Sequence, residues 1–501
     1  MWAAAGGAVA LALALARFDP YLFTGGDNAH YYALARALAT GRGYVDLVAP
    51  GAPLHVHYPP GYPLLLVPVY LASGGSYVAL KAVSWLAAGG LLAALWTLAR
   101  RDPRIPDWAA AAAVWTTGLY AVFQLYAHRV LSDMPYAALV AGSLAALQPA
   151  ATGQGGRRPW VMAGALALAA FYVRSAGVTL LAGIVVFALL RRRWRAALAS
   201  AAAFGVGVAP WFLWTRLAAE SRGRGDYVGT LAHTPLIAGG DRGRVGEFAE
   251  RLGDTALEYL TFQLPHLFWP TDPAPDPVRV AAVLLAVPLL AWGAWRLLRA
   301  GGPAPWELYL VASIALLPFW PWLGDRYFLT LAPFLWLWLL AGADAASRRF
   351  AGSPRPAGYA VALLAGFLLV SGGLAAARQW DRTRAWLAGD EWAGYSAFWA
   401  DYFRAARWIG DHAPEDAVVL ARKPTLAWYF SGRPAVEPPR RRDPEARWTR
   451  IRELGVTHLL LEPATEEELR DVLHPRVDRI LVAHETPRRE VVVLALPPGD
   501  E

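Results

Sequence analysis

Apolar runs recur along this chain at 1–17, 77–99, 107–127, 131–150, 160–173, 175–190, 196–215, 277–299, 304–322, 326–342 and 356–377. About twenty such residues span the hydrocarbon of a bilayer as a helix, because a helix satisfies its own backbone where no water can. The runs therefore imply a polytopic α-helical membrane protein with about 11 transmembrane helices. Composition agrees: 17% of the 501 residues are charged, against about 25% in soluble domains. The runs 160–173 and 175–190 are short and separated by Arg174, so they read as two tilted helices or one broken one. The first run reads as a span, not a signal peptide, because it lacks a basic leader and many spans follow it.

The chain has no cysteine, which excludes disulfides, thiolate catalysis and a cysteine zinc site. Its net charge of +8 resides almost entirely in arginine and does not call for nucleic acid. With a cytoplasmic N-terminus, the inside loops hold Arg100, Arg101, Arg104, Arg157, Arg158, Arg191, Arg192, Arg193, Arg195, Arg296, Arg299, Arg348, Arg349 and Arg355. The short outside turns hold Arg129, Arg174 and Arg326. This positive-inside asymmetry implies a multi-pass membrane protein with an extracytoplasmic C-terminus, and the arginine-rich, cysteine-free composition points to a bacterial inner membrane. It divides the chain into a transmembrane domain, 1–377, with outer loops 18–76 and 216–276, and an outer domain, 378–501.

In the first outer loop, Asp27–Thr40 reads as a helix with Tyr31, Leu34, Ala37 and Leu38 on one face. The apolar Tyr62–Ala72 is too short to span and reads as an interfacial or re-entrant helix interrupted by Pro63 and Pro68. The tail alternates strands and helices. Strands are expected at Ala417–Ala421, Thr457–Leu461, Arg479–His484 and Glu490–Leu496. Helices are expected at Thr425–Ser431, Pro444–Leu454 and Glu466–Leu473. That pattern implies a small α/β domain; it lacks a Gly-x-Gly-x-x-Gly fingerprint.

The expected topology sends a set of polar residues to the outer ends of the helices: Asp27, His30, His55, His57, His128, Arg129, Asp133, Arg174, Asp325, Arg326 and Tyr327. Carboxylates can take a proton from an attacking hydroxyl, and arginines can hold a phosphate as it leaves. Each has a plainer reading. Asp27 or Asp133 could simply cap a helix. His30, with His55 and His57, could hold a metal or could be interfacial polar residues. Arg326 could reach to headgroups. Trp320 and Trp322 lie near the same face and could stack on a sugar. In the 216–276 loop, Tyr227, His233, His266 and Trp269 could form an acceptor lid.

Four segments carry a resemblance to a known superfamily. They are the acidic residue opening the first outer loop before an amphipathic helix (Asp27 to Ala37), Tyr-Pro-Pro-Gly-Tyr-Pro-Leu-Leu (Tyr58–Leu65), Leu-Ser-Asp-Met-Pro (Leu131–Pro135) and Asp-Arg-Tyr-Phe-Leu-Thr-Leu-Ala-Pro-Phe (Asp325–Phe334). In order and spacing the chain resembles the GT-C superfamily of membrane glycosyltransferases over about 1–380, nearest to the protein O-mannosyltransferases and the lipid A aminoarabinose transferases. The resemblance implies a polyprenyl-phosphate sugar as donor, a hydroxyl acceptor (glycan, lipid or protein), and inversion at the anomeric carbon. It implies Asp27 as general base, with Asp133 at the site, and donor phosphate held by Arg326, Arg174 and Tyr327. Substrate contacts are expected from His30, His55, His57, Tyr58, Arg129 and His266. No metal is required by such a donor. Two departures stand out: Asp27-Asn28 where many relatives have Asp-Glu, and Tyr58 where the aminoarabinose transferases often carry lysine. A transporter or flippase is the competing class, yet no repeat is visible and the charges gather at one face instead of the midplane. A glycan polymerase or ligase would keep the fold and change the acceptor.

Overall fold

The computed structural model describes residues 1–154, 156–219, 243–270, 274–320, 323–439 and 443–496. Among the described residues, each apolar run is mainly helical. Along the first part lie α1 (Trp2–Ala16), α2 (Asp27–Ala39), α3 (Gly61–Ala72), α4 (Tyr77–Arg101), α5 (Asp107–Leu119), α6 (Ala121–Tyr126), α7 (Asp133–Ala151), α8 (Arg158–Val173), α9 (Val178–Leu190) and α10 (Trp194–Ala219). Then come α11 (Gly243–Glu258), α12 (Asp276–Gly301), α13 (Pro305–Leu316), α14 (Asp325–Phe328), α15 (Ala332–Ala351) and α16 (Arg355–Leu387). Four of these, α4, α10, α12 and α16, are long and apolar enough to cross a membrane by length and composition.

Several runs depart from a single straight helix: 326–342 is divided between α14 and α15, and the other departures each have a local reason. The run 107–127 breaks at Tyr120, whose ψ of 130° ends α5 before α6 begins. The run 304–322 ends in a 3₁₀ turn at Leu317–Phe319, where Pro318 cannot donate to a helical ladder. Arg174 is extended (φ −150°, ψ 131°), and Ser175–Gly177 restarts the chain as a 3₁₀ turn. The runs 160–173 and 175–190 are therefore two helices. α8 packs along α7 and α9 along α13. Conversely, α3 is continuous through Pro63 and Pro68; Pro63 falls in the first turn, where its missing N–H costs nothing.

The chain divides into two compact units, Met1–Phe18 with Val56–Tyr62 and Lys81–Trp380, and Asp19–His55 with Pro63–Leu80 and Asp381–Glu501. In the first, α12 and α15 pack closely enough that a Cβ on Gly293 would meet the Trp338 carbonyl and one on Gly342 the Leu289 carbonyl. Small residues let helix backbones approach where lipid offers no hydrophobic drive. Several arginines of the expected inside loops are structural: Arg104 pairs with Asp102 (2.7 Å) and Glu307 (3.0 Å), and Arg296 and Arg348 share Asp344 (2.9 and 3.0 Å).

The second unit contains a five-stranded sheet of order β2-β1-β3-β5-β4: β1 (Val418–Leu420), β2 (Ala435–Val436), β3 (Val456–Leu461), β4 (Leu481–Glu485) and β5 (Val492–Ala495). β2, β1 and β3 are parallel; β5 and β4 join antiparallel. Helices α17 (Ala397–His412), α18 (Pro424–Ser431), α19 (Pro444–Glu453) and α20 (Pro463–Leu473) accompany it. Leu420, Ile451, Val456, Leu459, Leu469 and Val472 form its core. Asp443 caps α19 by accepting the Ala446 N–H (2.6 Å), with Pro444 at the first position. The last helix starts earlier than its apolar pattern suggests, because Glu462 accepts the N–H groups of Ala464 and Thr465. Residues 19–55 belong to this same unit. The Ala435 N–H at edge strand β2 donates to the Val48 carbonyl (2.7 Å), and the Tyr21 hydroxyl donates to the carbonyls of Arg382 and Asp390 (both 3.1 Å).

Candidate functional site

Two constellations hold most of the residues singled out by sequence, one in each unit. In the first unit, three element ends converge. Asp133 is the first residue of α7, Arg174 follows α8, and Arg326 and Tyr327 lie in the short α14. The Asp133 carboxylate is buried (1% exposed) and accepts from Arg174, while Arg326 reaches it with Nη2 at 3.2 Å and Nε at 3.3 Å. Both guanidiniums lie over the Tyr327 ring, at 5.7 and 5.8 Å. The Tyr327 hydroxyl accepts from Trp320 Nε1 (2.6 Å), and the Tyr126 hydroxyl donates to Asp325 (3.0 Å). Asp133 is therefore not a helix cap; Ser132 takes the cap position, and the carboxylate is spent on two arginines. Two guanidiniums thus converge on one buried carboxylate, with Asp325 next to Arg326 in the chain; paired arginines of this kind can hold a phosphate.

Other candidates of this unit have their own surroundings. Arg129 lies over Tyr126 at 4.9 Å, one ring away from Asp325. His57 packs edge-on to Tyr58 (4.6 Å). His266 is buried in a 3₁₀ turn, and Trp269 lies against Phe367 (5.4 Å). Tyr227, His233 and Trp322 lie outside the described residues. His128 is buried in the turn before α7. Burial, then Lys81, Arg129 and Arg17, bring its imidazole down to about 3, so it is neutral at physiological pH.

The Tyr-Pro-Pro-Gly-Tyr-Pro segment has a steric reason for its glycine. A Cβ on Gly61 would stand 2.6 Å from the Tyr172 carbonyl group, two residues before Arg174. Gly61→Ala is expected to cost roughly 1–3 kcal/mol in overpacking and to lower the unfolding midpoint. A melt like that of the wild type would show that the Tyr172 backbone shifts freely.

In the second unit, Asp27 opens α2 and is half-buried. It too is not the cap: Gly26 holds that position at φ 102°, which favours glycine, and no side chain caps the helix. The tail supports this corner, since Lys423 Nζ donates to the Gly25 carbonyl (3.3 Å) and a Cβ on Gly26 would meet Thr425 Oγ1 at 3.0 Å. Asn28 is buried and donates to the Tyr77 hydroxyl (2.9 Å). His30 and His55 come together, ring centroids 4.9 Å apart, around a residue that the sequence reading passed over. That residue is Asp46, 3.3 Å from His30 Nε2 and 3.9 Å from His55 Nδ1. Burial opposes ionisation of Asp46, but the two imidazoles outweigh it and hold the carboxyl well below the usual range. No periodicity marks Asp46; its pairing with His55 arises from a local strand-like register that a lone aspartate in a loop does not announce. Beside this corner, Arg36, Arg42, Leu47, Trp428 and Pro434 line an open groove of about 510 Å³, within the usual range of ligand sites. Arg36 lies 5.8 Å over the Trp428 ring.

The family model of glycosyltransferase family 87 matches residues 56–321, more than half of the chain. A search of curated proteins finds no match. Among solved structures, ArnT from Cupriavidus metallidurans in the apo state is similar at 16% identity over 99% of both chains, with a TM-score of 0.58. Its form bound to undecaprenyl phosphate gives 0.56 at the same identity and coverage. An Archaeoglobus fulgidus oligosaccharyltransferase, tethered with an acceptor peptide containing the NVT sequon, is similar at 13% identity over 99% of this chain and 74% of that one, with a TM-score of 0.57. At such identities the likeness is one of fold, and the fold is that of the GT-C membrane glycosyltransferases.

Proposed function

We propose that the chain, which belongs to glycosyltransferase family 87, moves a sugar with inversion from a polyprenyl-phosphate donor to a hydroxyl acceptor. The reaction would take place at the outer face of a bacterial inner membrane, with the N-terminus cytoplasmic and the tail extracytoplasmic. The observation that carries this reading is the pair of guanidiniums, Arg174 and Arg326, gathered on the buried Asp133 carboxylate, a cationic pair of the kind that can hold a phosphate. ArnT, similar in fold, has been solved with undecaprenyl phosphate, and the oligosaccharyltransferase with an acceptor peptide. Both support a lipid-linked donor and a separate acceptor here.

In the step itself, the acceptor hydroxyl oxygen attacks the anomeric carbon and its proton passes to the Asp27 carboxylate. The bond from the anomeric carbon to the phosphate oxygen breaks with its electron pair. The polyprenyl phosphate gains negative charge as it departs, and Arg326 and Arg174 stabilise that charge where it develops, with Tyr327 holding both guanidiniums in place. A phosphate monoester is a good leaving group, so this chemistry does not itself require a metal. Of the other candidates, His57, Tyr58, Arg129 and His266 are assigned to substrate contact.

The test is purified protein in lipid nanodiscs with a panel of polyprenyl-phosphate sugars, following donor consumption by mass spectrometry. Release of free polyprenyl phosphate, dependent on an added hydroxyl acceptor, is expected for one donor of the panel. Neither binding nor consumption of any donor would reject the reading and favour a transport assay.

A further inference from the structure

We propose that His30, Asp46 and His55 form a divalent-metal site, with zinc(II) as the ion their chemistry fits. The Asp46 N–H donates to the Pro53 carbonyl (2.7 Å) and the His55 N–H to the Tyr44 carbonyl (2.9 Å), on either side of the Val45/Leu54 bridge. That register turns Asp46 and His55 to one face of the short ladder, as diagonal neighbours across the pair. His30 arrives from the first turn of α2, on the side that carries Asp27 three residues earlier. One ligand atom from each of the three residues lies within 4.8 Å of the others.

The spacing suits an ion. Ligands at about 2.0–2.1 Å from a tetrahedral zinc stand roughly 3.4 Å apart. Here His30 Nε2 and Asp46 Oδ1 are 3.3 Å apart, His55 Nδ1 and Asp46 Oδ2 are 3.9 Å apart, and one ligand atom from each residue lies within 4.8 Å of the others, so an ion would move each side chain at the widest edge by about 1 Å or less. Two imidazole nitrogens and one carboxylate oxygen are the three-ligand set of open zinc sites, with the fourth position left to water or a substrate oxygen. The trio is also shielded: side-chain exposure is 16% for His30, 10% for Asp46 and 2% for His55. Tyr44 packs edge-on to the His55 ring at 5.4 Å and fixes its orientation. A bound ion would staple α2 to the 44–55 loop, and that loop in turn accepts the Ala435 N–H of the sheet edge at the Val48 carbonyl. It would thereby hold the helix that begins with Asp27. The set differs from the histidines grouped by sequence, since Asp46 replaces His57.

The test uses full-length, tag-free protein in nanodiscs, stripped with a chelator and titrated with cobalt(II), whose tetrahedral complexes absorb visibly where octahedral ones barely do. Wild type is expected to take up one cobalt per chain with a tetrahedral spectrum, to exchange it for zinc, and to melt at a higher temperature once zinc is bound. His55→Gln and Asp46→Asn are expected to lose both the spectrum and the thermal gain. Uptake well below one ion per chain by the wild type overturns the proposal without recourse to a variant. So does uptake by both variants equal to that of the wild type. Metal content is read independently of turnover, so a failure of the transferase reading leaves this result standing, and the reverse.

Discussion

Asp27→Asn is expected to reduce sugar transfer by roughly 10²–10⁴-fold, the usual worth of a general base, with donor affinity unchanged. The amide keeps the size of the carboxylate and can still accept a hydrogen bond, but it cannot take the proton from the acceptor hydroxyl. Stability should hardly move. Gly26, not Asp27, stands at the cap of α2, so the substitution removes no capping bond. It forfeits a favourable charge at the helix N-terminus, worth about 0.3–1 kcal/mol. Turnover and donor binding, measured on the same nanodisc preparation, separate the outcomes. A fully active variant would leave the fold and family intact and remove Asp27 from the chemistry. A variant that neither binds nor turns over would implicate the residue in building the site instead.

The second large effect falls on the fold. Asp133→Asn would leave two guanidiniums facing a neutral amide. Breaking a buried pair by removing one partner costs roughly 3–5 kcal/mol. The figure should lie toward the lower end here, because the side chains of Arg174 and Arg326 are 14% and 26% exposed and water screens part of their repulsion. Arg326→Ala is the informative companion. It leaves Asp133 paired with Arg174, so the unfolding midpoint should fall less, while one of the two cations is gone and the KM for the donor should rise by about tenfold or more, the worth of a charge-assisted hydrogen bond. An Asp133→Asn protein that melts like wild type would show that the group is not fixed by its charges. An Arg326→Ala protein with unchanged KM would place the donor phosphate elsewhere.

What the sequence could and could not show follows from how far each signal reaches. The bilayer demands long apolar helices, so the runs were legible along the whole chain. Their interruptions were legible where a charge or proline marked them, as at Arg174, and not where a break such as Tyr120 has an ordinary composition. Asp27, Asp133, Arg174, Arg326 and Tyr327 could each be picked out as polar groups at helix ends. That Asp133 is shared by two arginines could not, because the partners stand 41 and 193 residues away and nothing local encodes their meeting. Asp46 was invisible for the opposite reason: its partner His55 is near in sequence, but the two-residue ladder that aligns them is too short to show a period. The support that Lys423 and Thr425 give to the start of α2 joins positions about 400 residues apart, beyond any reading of spacing.

The unit that contains Asp27 is assembled from Asp19–His55, Pro63–Leu80 and Asp381–Glu501, and this sets a schedule for the nascent chain. Asp381 is polymerised 326 residues after His55, roughly 16–65 s later at about 5–20 residues per second. Throughout that interval the 19–55 segment lacks the strand-edge and lysine contacts that hold it, and the carbonyls that Tyr21 binds. Most of the membrane helices can be in place while the loop still waits. A ribosome that stops early, or a protease that trims the tail, would therefore leave an inserted protein without the contacts that build the fold around Asp27. The earliest segment of this unit can fold only once the latest one has been made.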